Sequence, residues 1–499
     1  MLISSETPVI ASILLVVVGI LGWGFYRSRR FGKLGILAWL QSVALMVPWL
    51  LFFGLFAAGI YINIAGILLL LVISTAIYVL LGKQLRSLGQ DAILRQKATE
   101  RLEAQLKQQS PEEGNNNQTP VSGEQQPELL RIPQEDLNTI KSIFGIDTFF
   151  ATETIPYQEG VIFKGNLRGE DPEKIHDRLT ASLRSKLGDK YRLFIVENTD
   201  ARPVMIVLPS TTDPRPSSLA QKAFAGVLLI ATIATSFEAS GLLLGFDFFS
   251  TPEKYNQSLP IAVGLFVILA AHEIGHWILA RRYQVRLSFP FFLPAVQLGS
   301  FGAITRFESL LPNRRALFDI ALAGPAAGGI VSLLMLIAGL LLSHEGSIFQ
   351  LPNQFFQGSI LVGSLARVVL GSALQSSIVD VHPLVIIGWL GLVVTAINLM
   401  PAGQLDGGRI VQAIYGRKTA GRATFATVVL LGLISLANPL AMYWAIVILF
   451  LQRDLERPSL NEITEPDDAR AALGLLALFL MIATLLPLTP ALAGKLGIG

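Results

Sequence analysis

Long apolar runs separated by short charged clusters dominate this chain. The first run, residues 10–26, is followed by the basic cluster Arg27, Arg29 and Arg30. A cleavable signal carries its basic residues ahead of the apolar stretch, so this order predicts a retained span with its N-terminus outside. Residues 34–82 hold no charged side chain. A hydrocarbon core of ~30 Å takes ~20 residues per crossing, so this stretch predicts two spans joined by a turn near residues 58–61. Residues 83–109 are charged and rich in strong helix formers, which predicts a solvated helix. Residues 110–128 lack apolar periodicity and predict a flexible linker.

The pattern changes over residues 129–212. Helical periodicity at 133–144 and 171–187, with strand-like runs at 160–166, 191–197 and 204–208, predicts a small soluble α+β domain of ~80 residues. Its role, partner binding or spacing, is not legible. Apolar segments then return at 219–243, 260–280, 316–342, 383–400, 424–437, 440–451 and 471–492. Residues 351–377 are apolar but interrupted, as in an interfacial or partly embedded segment. With these spans, the basic clusters at 27–33, 83–86, 281–286, 314–315, 409–422 and 453–457 all fall on one side, as the positive-inside bias requires. The expected fold is a mostly α-helical polytopic membrane protein of about ten spans, with a small soluble α+β domain inserted after the third span. The expected divisions are N-terminal spans (1–83), charged helix and linker (84–128), soluble domain (129–212), a membrane core (219–422) and C-terminal spans (423–499).

Composition agrees. Hydrophobic residues make up 52% of the 499 and charged residues only 15%, a balance far from that of soluble domains. The net charge of +3, with no basic stripe interleaved with aromatics, gives no case for nucleic acid binding. The chain has no cysteine, which excludes thiolate catalysis and thiolate metal sites.

One apolar run carries chemistry. His272-Glu273-Ile274-Gly275-His276 is the pattern H-E-x-x-H. On a helix, residues i and i+4 share a face, so both imidazoles can reach one metal ion. Zinc lowers the pKa of its water to ~7, and Glu273 is placed to take that proton during attack on a carbonyl. In soluble helices this string is often chance surface polarity. Here nothing else between Gln257 and Ala280 is ionisable, and a charged residue at the centre of a span costs ~2.5–3.5 kcal/mol on insertion scales.

A catalytic zinc site needs a third protein ligand and an open position. His176 falls in the soluble domain, and His344 and His382 fall on the outside, so all three read as ordinary domain, loop or capping residues. Asp406, in Asn398 to Gly408 (NLMPAGQLDGG), lies toward the inner end of its span, at the depth of His272 and His276. Pro401 and Gly403 break the helix, and Gly407 and Gly408 allow close backbone approach. Asp406 is therefore the expected third ligand, against the common alternative of an exposed Asp-Gly turn.

HEIGH in one span and NLMPAGQLDGG on a later one resemble the site-2 protease family of intramembrane zinc metalloproteases, in its chloroplast and cyanobacterial branch. The family pattern is H-E-x-x-H followed by N-x-x-P-x-x-x-L-D-G, and both are complete here. Gly324-Pro325-Ala326-Ala327-Gly328 resembles the family's G-P element, although Gly328 and Gly329 stand where members often carry Asn. The resemblance covers about residues 219–422, and no PDZ-like domain is apparent. It implies one Zn²⁺ held by His272, His276 and Asp406, with Glu273 as general base. It also implies membrane-spanning protein substrates and a multi-pass protein of a bacterial inner membrane or thylakoid-type membrane, with its site toward the cytosolic side. Asn398 either hydrogen-bonds the substrate or developing oxyanion, or ties helices together.

A protease at this depth needs an extended binding surface. Residues 285–307 are apolar, broken by Pro290 and Pro294, and hold Gly299 and Gly302. They read as a re-entrant hairpin that pairs with an unwound substrate, or as an interfacial loop. Gly324 and Gly328 form a small-xxx-small pair, which implies close helix packing. Glu238 reads as interfacial, and Asp319 as a helix N-terminal charge. A membrane zinc transporter or metal-handling protein is the alternative function. It fits less well because the ligands gather at one depth and no internal repeat is visible. A degenerate protease acting as a scaffold is opposed by the complete motifs.

Overall fold

The computed structural model describes residues 21–29, 32–57, scattered positions between 70 and 84, and 132–498 apart from 158, 169–170, 199–201, 437, 453, 490, 492 and 495–497. Most of the first expected span, the turn at 58–61, the charged helix after Gln84 and the linker at 110–128 lie outside the described residues. The chain divides into two units, residues 1–125 with 428–451, and residues 126–427 with 452–499. In the first unit, helix α1 (Gly32–Ala57) is mostly apolar and carries no charge after Lys33, as expected for the start of the 34–82 stretch.

In the second unit, residues 132–213 fold as an α+β layer. Helix α2 (Gln134–Lys141) precedes strands β1 (Phe149–Tyr157) and β2 (Gly160–Leu167), then helix α3 (Pro172–Leu187) and strands β3 (Tyr191–Glu197) and β4 (Pro203–Pro209). The sheet is antiparallel in the order β1-β2-β4-β3. Asp171 caps α3 by accepting from the Glu173 amide at 3.0 Å, and Pro172 sits at its first position, where a missing N–H costs nothing. Ile175, Leu179 and Leu183 line one helical face and pack on Phe163, Ile195, Met205 and Val207 of the sheet. His176 is buried there, its Nε2 3.0 Å from the Leu193 carbonyl. Strand β1 escaped the sequence pattern. It is an edge strand carrying Glu153 and Pro156, a charge and a missing N–H that edges tolerate better than central strands do.

The apolar remainder is helical. Helices α4 (Leu219–Leu243), α5 (Tyr255–Arg282) and α6 (Arg314–Leu342) follow one another, with a hairpin of β5 (Phe291–Ala295) and β6 (Gly299–Ile304) between α5 and α6. Next come a small ribbon of β7 (Phe349–Pro352) and β8 (Ile378–Val381) flanking helix α7 (Ile360–Leu370), then helix α8 (Pro383–Asn398). Helix α9 (Asp406–Ile434) is kinked at Gly416, which has φ of 78°. Helix α10 (Pro439–Val447) belongs to the first unit and α11 (Asp468–Leu485) to the second.

Among the described residues, α4, α5 with the turn before it, α6 and α11 are long and apolar enough to cross a membrane. Their outward faces carry exposed Ile230, Val267, Leu334 and Phe479, as lipid-facing surfaces do. Helix α8, at 16 residues, is shorter than a typical crossing but buried on nearly every side. An all-round apolar helix belongs inside a bundle, and α8 packs against α6 through Gly388 and Gly391, where side chains would overlap Ser332 and Leu336. Residues 351–377, read as an interfacial or partly embedded segment, contribute the end of β7 and helix α7.

Candidate metal centre

Helix α5 brings His272 and His276 to its buried face, 8% and 4% exposed. That face meets α6 at glycines. A Cβ on Gly275 would overlap the Ala323 carbonyl, a Cβ on Gly324 would overlap the His276 ring, and one on Gly328 would lie 3.1 Å from the His272 Cβ. The close packing expected of Gly324 and Gly328 is thus realised directly on the two imidazoles. Helix α6 also orients one of them: the Ile320 carbonyl lies 2.7 Å from His276 Nδ1. Only an N–H can face that carbonyl, so Nε2 carries the lone pair and points the other way.

Asp406 arrives from α8's far end. After Asn398 the chain turns through Pro401 and Gly403 (φ 51°) and restarts as α9 with Asp406 as its first residue. Gly407 and Gly408 are needed, because side chains there would overlap the carbonyls of Leu399 and Gly403. The turn is tied by the Gly403 amide donating to Thr424 Oγ1 at 2.8 Å. One carboxylate oxygen, Asp406 Oδ2, lies 3.1 Å from His272 Nε2 and 3.3 Å from His276 Nε2, and the two Nε2 atoms are 3.1 Å apart.

Three donors turned toward one point suit a cation. Zinc binds nitrogen and carboxylate oxygen at ~2.0–2.2 Å in tetrahedral geometry, which spaces adjacent ligand atoms by about 3.3–3.5 Å. The observed triangle needs only a few tenths of an ångström of expansion. The hydrogen bond behind His276 is the support that metal-bound imidazoles commonly have. The residues therefore fit the ion.

Glu273 is next to this triangle, and its donor atoms, with those of His272 and His276, lie within 4.8 Å of one another. It is half-buried and accepts a hydrogen bond from Thr305 Oγ1 at 2.8 Å. Thr305 directly follows β6. Of the two readings of residues 285–307, a hairpin is present within them, β5 with β6, and it delivers a residue to the carboxylate. Its register pairs Phe291 with Ile304 and Ala295 with Gly299. Gly302 is buried with φ of 103°, and a Cβ there would come 2.6 Å from Asn398 Nδ2. Asn398 itself is buried and donates to the Val394 carbonyl of its own helix at 2.9 Å. With His276, Thr305 and Asp406 it lines a small cavity of about 20 Å³.

Three residues were not foreseen, Thr305 among them. Arg409, one turn into α9, is 5% exposed, and its guanidinium lies 3.8 Å from Asp406 Oδ1 and donates to the Thr305 carbonyl at 2.7 Å. Glu456 is buried and accepts from Arg409 Nε at 3.1 Å. The i, i+3 spacing of Asp406 and Arg409 in an apolar run was a usable signal. Thr305 and Glu456 are too far off in sequence to leave one. His382 and His344 behave as capping and loop residues: His382 caps α8 by accepting from the Leu384 amide at 3.3 Å, and His344 sits in the loop after α6. Glu238 is buried in the protein and accepts from the Phe248 and Phe249 amides. Asp319 pairs with Arg470 of α11 at 2.7 Å, so it is an interhelical tie more than a dipole charge.

An H-E-x-x-H helix, a carboxylate from a second helix and a shell of long apolar helices define a zinc-dependent peptidase built into a membrane protein. Comparison with known proteins agrees. Residues 260–437 match peptidase family M50, and residues 138–215 match the EGY3 middle domain. The probable zinc metalloprotease EGY2, chloroplastic, of Arabidopsis thaliana is 38% identical over 377 residues, 73% of this chain and 67% of its own length. The probable zinc metalloprotease EGY1, chloroplastic, of the same plant is 38% identical over 408 residues, 74% of each chain. The probable zinc metallopeptidase EGY3, chloroplastic, also of Arabidopsis thaliana, is 34% identical over 378 residues, 70% of this chain and 65% of its own length. No solved structure matches. The chain belongs to peptidase family M50, the site-2 proteases, and is a zinc metalloprotease.

Proposed function

We propose that this chain hydrolyses peptide bonds of membrane-anchored protein substrates, with His272, His276 and Asp406 holding one Zn²⁺ and Glu273 as general base. The convergence of the two imidazoles and the Asp406 carboxylate within 3.3 Å carries this reading. When bound there, zinc supplies Lewis acidity toward water and the substrate carbonyl. Glu273 holds one carboxylate oxygen against the Thr305 hydroxyl, which leaves the other to take a proton from the attacking water and pass it to the leaving amine. Asn398 directs its remaining N–H toward the oxygen that develops charge. Its one described hydrogen bond stays within its own helix, which favours this role over a tie between helices.

The substrate approaches along a groove of about 410 Å³ between α5 and the hairpin. Ile274, Trp277 and Phe289 give it an apolar, outward-facing wall, and Glu273 and Thr305 lie on its polar side. An unwound substrate segment lies beside the hairpin as an added strand, which satisfies its backbone while presenting one peptide bond to Glu273.

In our topology the chain crosses the bilayer about ten times, with residues 129–212 inserted after the third span and the site toward the cytosolic side. His276 lies six residues before Arg282 at the basic end of α5, about 9 Å along the axis. That depth is under the surface yet within reach of water. The membrane is a bacterial inner membrane or a thylakoid-type membrane.

The decisive experiment is Glu273→Gln, with bound zinc and cleavage of a single-span substrate measured together. Zinc content should be retained and cleavage should fall about 10²–10⁴-fold. Cleavage at the wild-type rate would sink the assignment. A wild type that transports zinc and cuts nothing would favour the transporter instead.

A further inference from the structure

We propose that Arg409 and Glu456 form a positioning pair for the metal centre, fixing the Asp406 carboxylate and the Thr305 segment that orients Glu273. This rests on the zinc-site reading above and goes beyond it, since neither residue meets the substrate or the ion.

The geometry divides Asp406 in two. Oδ2 faces both imidazoles, and Oδ1 faces the Arg409 guanidinium at 3.8 Å. A carboxylate can rotate about its last bond unless both oxygens are engaged. The same guanidinium donates from Nη2 to the Thr305 carbonyl at 2.7 Å, and Thr305 in turn donates its hydroxyl to Glu273. One planar group therefore touches the supports of the third ligand and of the base. Arg suits this task because its rigid fork addresses several acceptors at once, which a Lys ammonium cannot do from one place.

Arg409 is itself held. Glu456 Oε2 lies 3.1 Å from both Nε and Nη2, and the Phe307 ring lies 4.7 Å below the guanidinium carbon. Both partners are buried, so an unpaired charge on either side would be costly. Glu456 is anchored through its own backbone: its carbonyl accepts from Gln412 Nε2 at 3.1 Å and from Arg417. A few residues on, 460–462 is laced between two other parts of the chain. The Leu460 amide donates to the Leu311 carbonyl at 2.9 Å, the Ile195 amide of β3 donates to the Leu460 carbonyl at 2.8 Å, and the Glu462 amide donates to the Ile195 carbonyl at 3.0 Å. The 456–462 segment is thus a strap, fixed at one end to the sheet edge of the 132–213 domain and at the other to Arg409.

The test is Glu456→Gln in the full-length protein, read by zinc retention against a chelator and by separate kcat and KM for a single-span substrate. We expect zinc to be lost at about tenfold lower chelator concentration and kcat to fall about 10–100-fold, with KM within about twofold. If the variant does not accumulate, Arg409→Lys serves. It keeps a charge opposite Glu456 but cannot reach the Thr305 carbonyl at the same time, and the same two losses are expected. A folded variant that keeps wild-type zinc retention and kcat overturns the proposal. So does a loss of activity explained entirely by less folded protein with unchanged zinc retention per folded chain. Wild-type zinc content and cleavage, measured alongside, report on the zinc-protease reading separately.

Discussion

A methyl group added at Gly324 would enter the space of the His276 ring. Gly324→Ala should therefore push that imidazole off the metal position rather than merely loosen two helices. Overpacking of this kind costs about 1–3 kcal/mol, and bound zinc per chain should fall by about tenfold or more. Gly329→Ala is the control, because its Cβ would meet only the Thr395 methyl at 3.4 Å and should leave zinc content unchanged. Equal zinc in both variants would mean that α6 does not shape the site. The residues legible at this scale were those whose spacing alone places them together. His272, Glu273 and His276 share a helical turn, and Asp406 stood out by its depth and its glycines. Thr305 and Glu456 were invisible because what brings them in is tertiary.

At the scale of elements, the hairpin of β5 and β6 has the sharpest consequence. Gly302 has a left-handed backbone (φ 103°) and presses against Asn398. Gly302→Ala should strain the strand and displace the Asn398 amide, lowering cleavage by about tenfold, the scale of a weakened oxyanion contact, while zinc stays bound. Zinc loss in that variant would show that the hairpin supports the metal and not the substrate. Helices were read well from their apolar runs: α4, α5 and α6 begin and end within a turn or so of the expected limits. Strand β1 was missed because an edge strand does not need a regular apolar alternation. The interrupted run at 351–377 showed only that it was irregular. Its folding into a short helix beside a two-stranded ribbon depends on partners far away in the chain.

For the molecule as a whole, the α+β layer of residues 132–213 was legible from its pattern, but its attachment was not. Its internal stability has a titratable component. Tyr191 donates its hydroxyl to Asp136 at 2.7 Å, tying the start of β3 to α2. Burial, with this hydrogen bond to a carboxylate, pushes the phenol above its ordinary range. A raised folded-state value means that the stabilisation is fully present below the ordinary tyrosine pKa of ~10 and is lost as pH rises through the folded value. Ultraviolet titration of the full chain should include a Tyr191 component that ionises above the ordinary tyrosine range. Tyr191→Phe should remove that late component and cost about 1 kcal/mol at neutral pH. A titration unchanged by the substitution would refute the assignment.

The strap at 456–462 has a consequence in time as well as in space. A ribosome that has made the first 450 residues has already produced both histidines, the glutamate and the aspartate. It has not yet made the acid that grips Arg409, nor the strip that closes the edge of β3. On our proposal, a chain cut short before residue 456 carries those groups without the clasp that aligns them and should hold zinc more weakly.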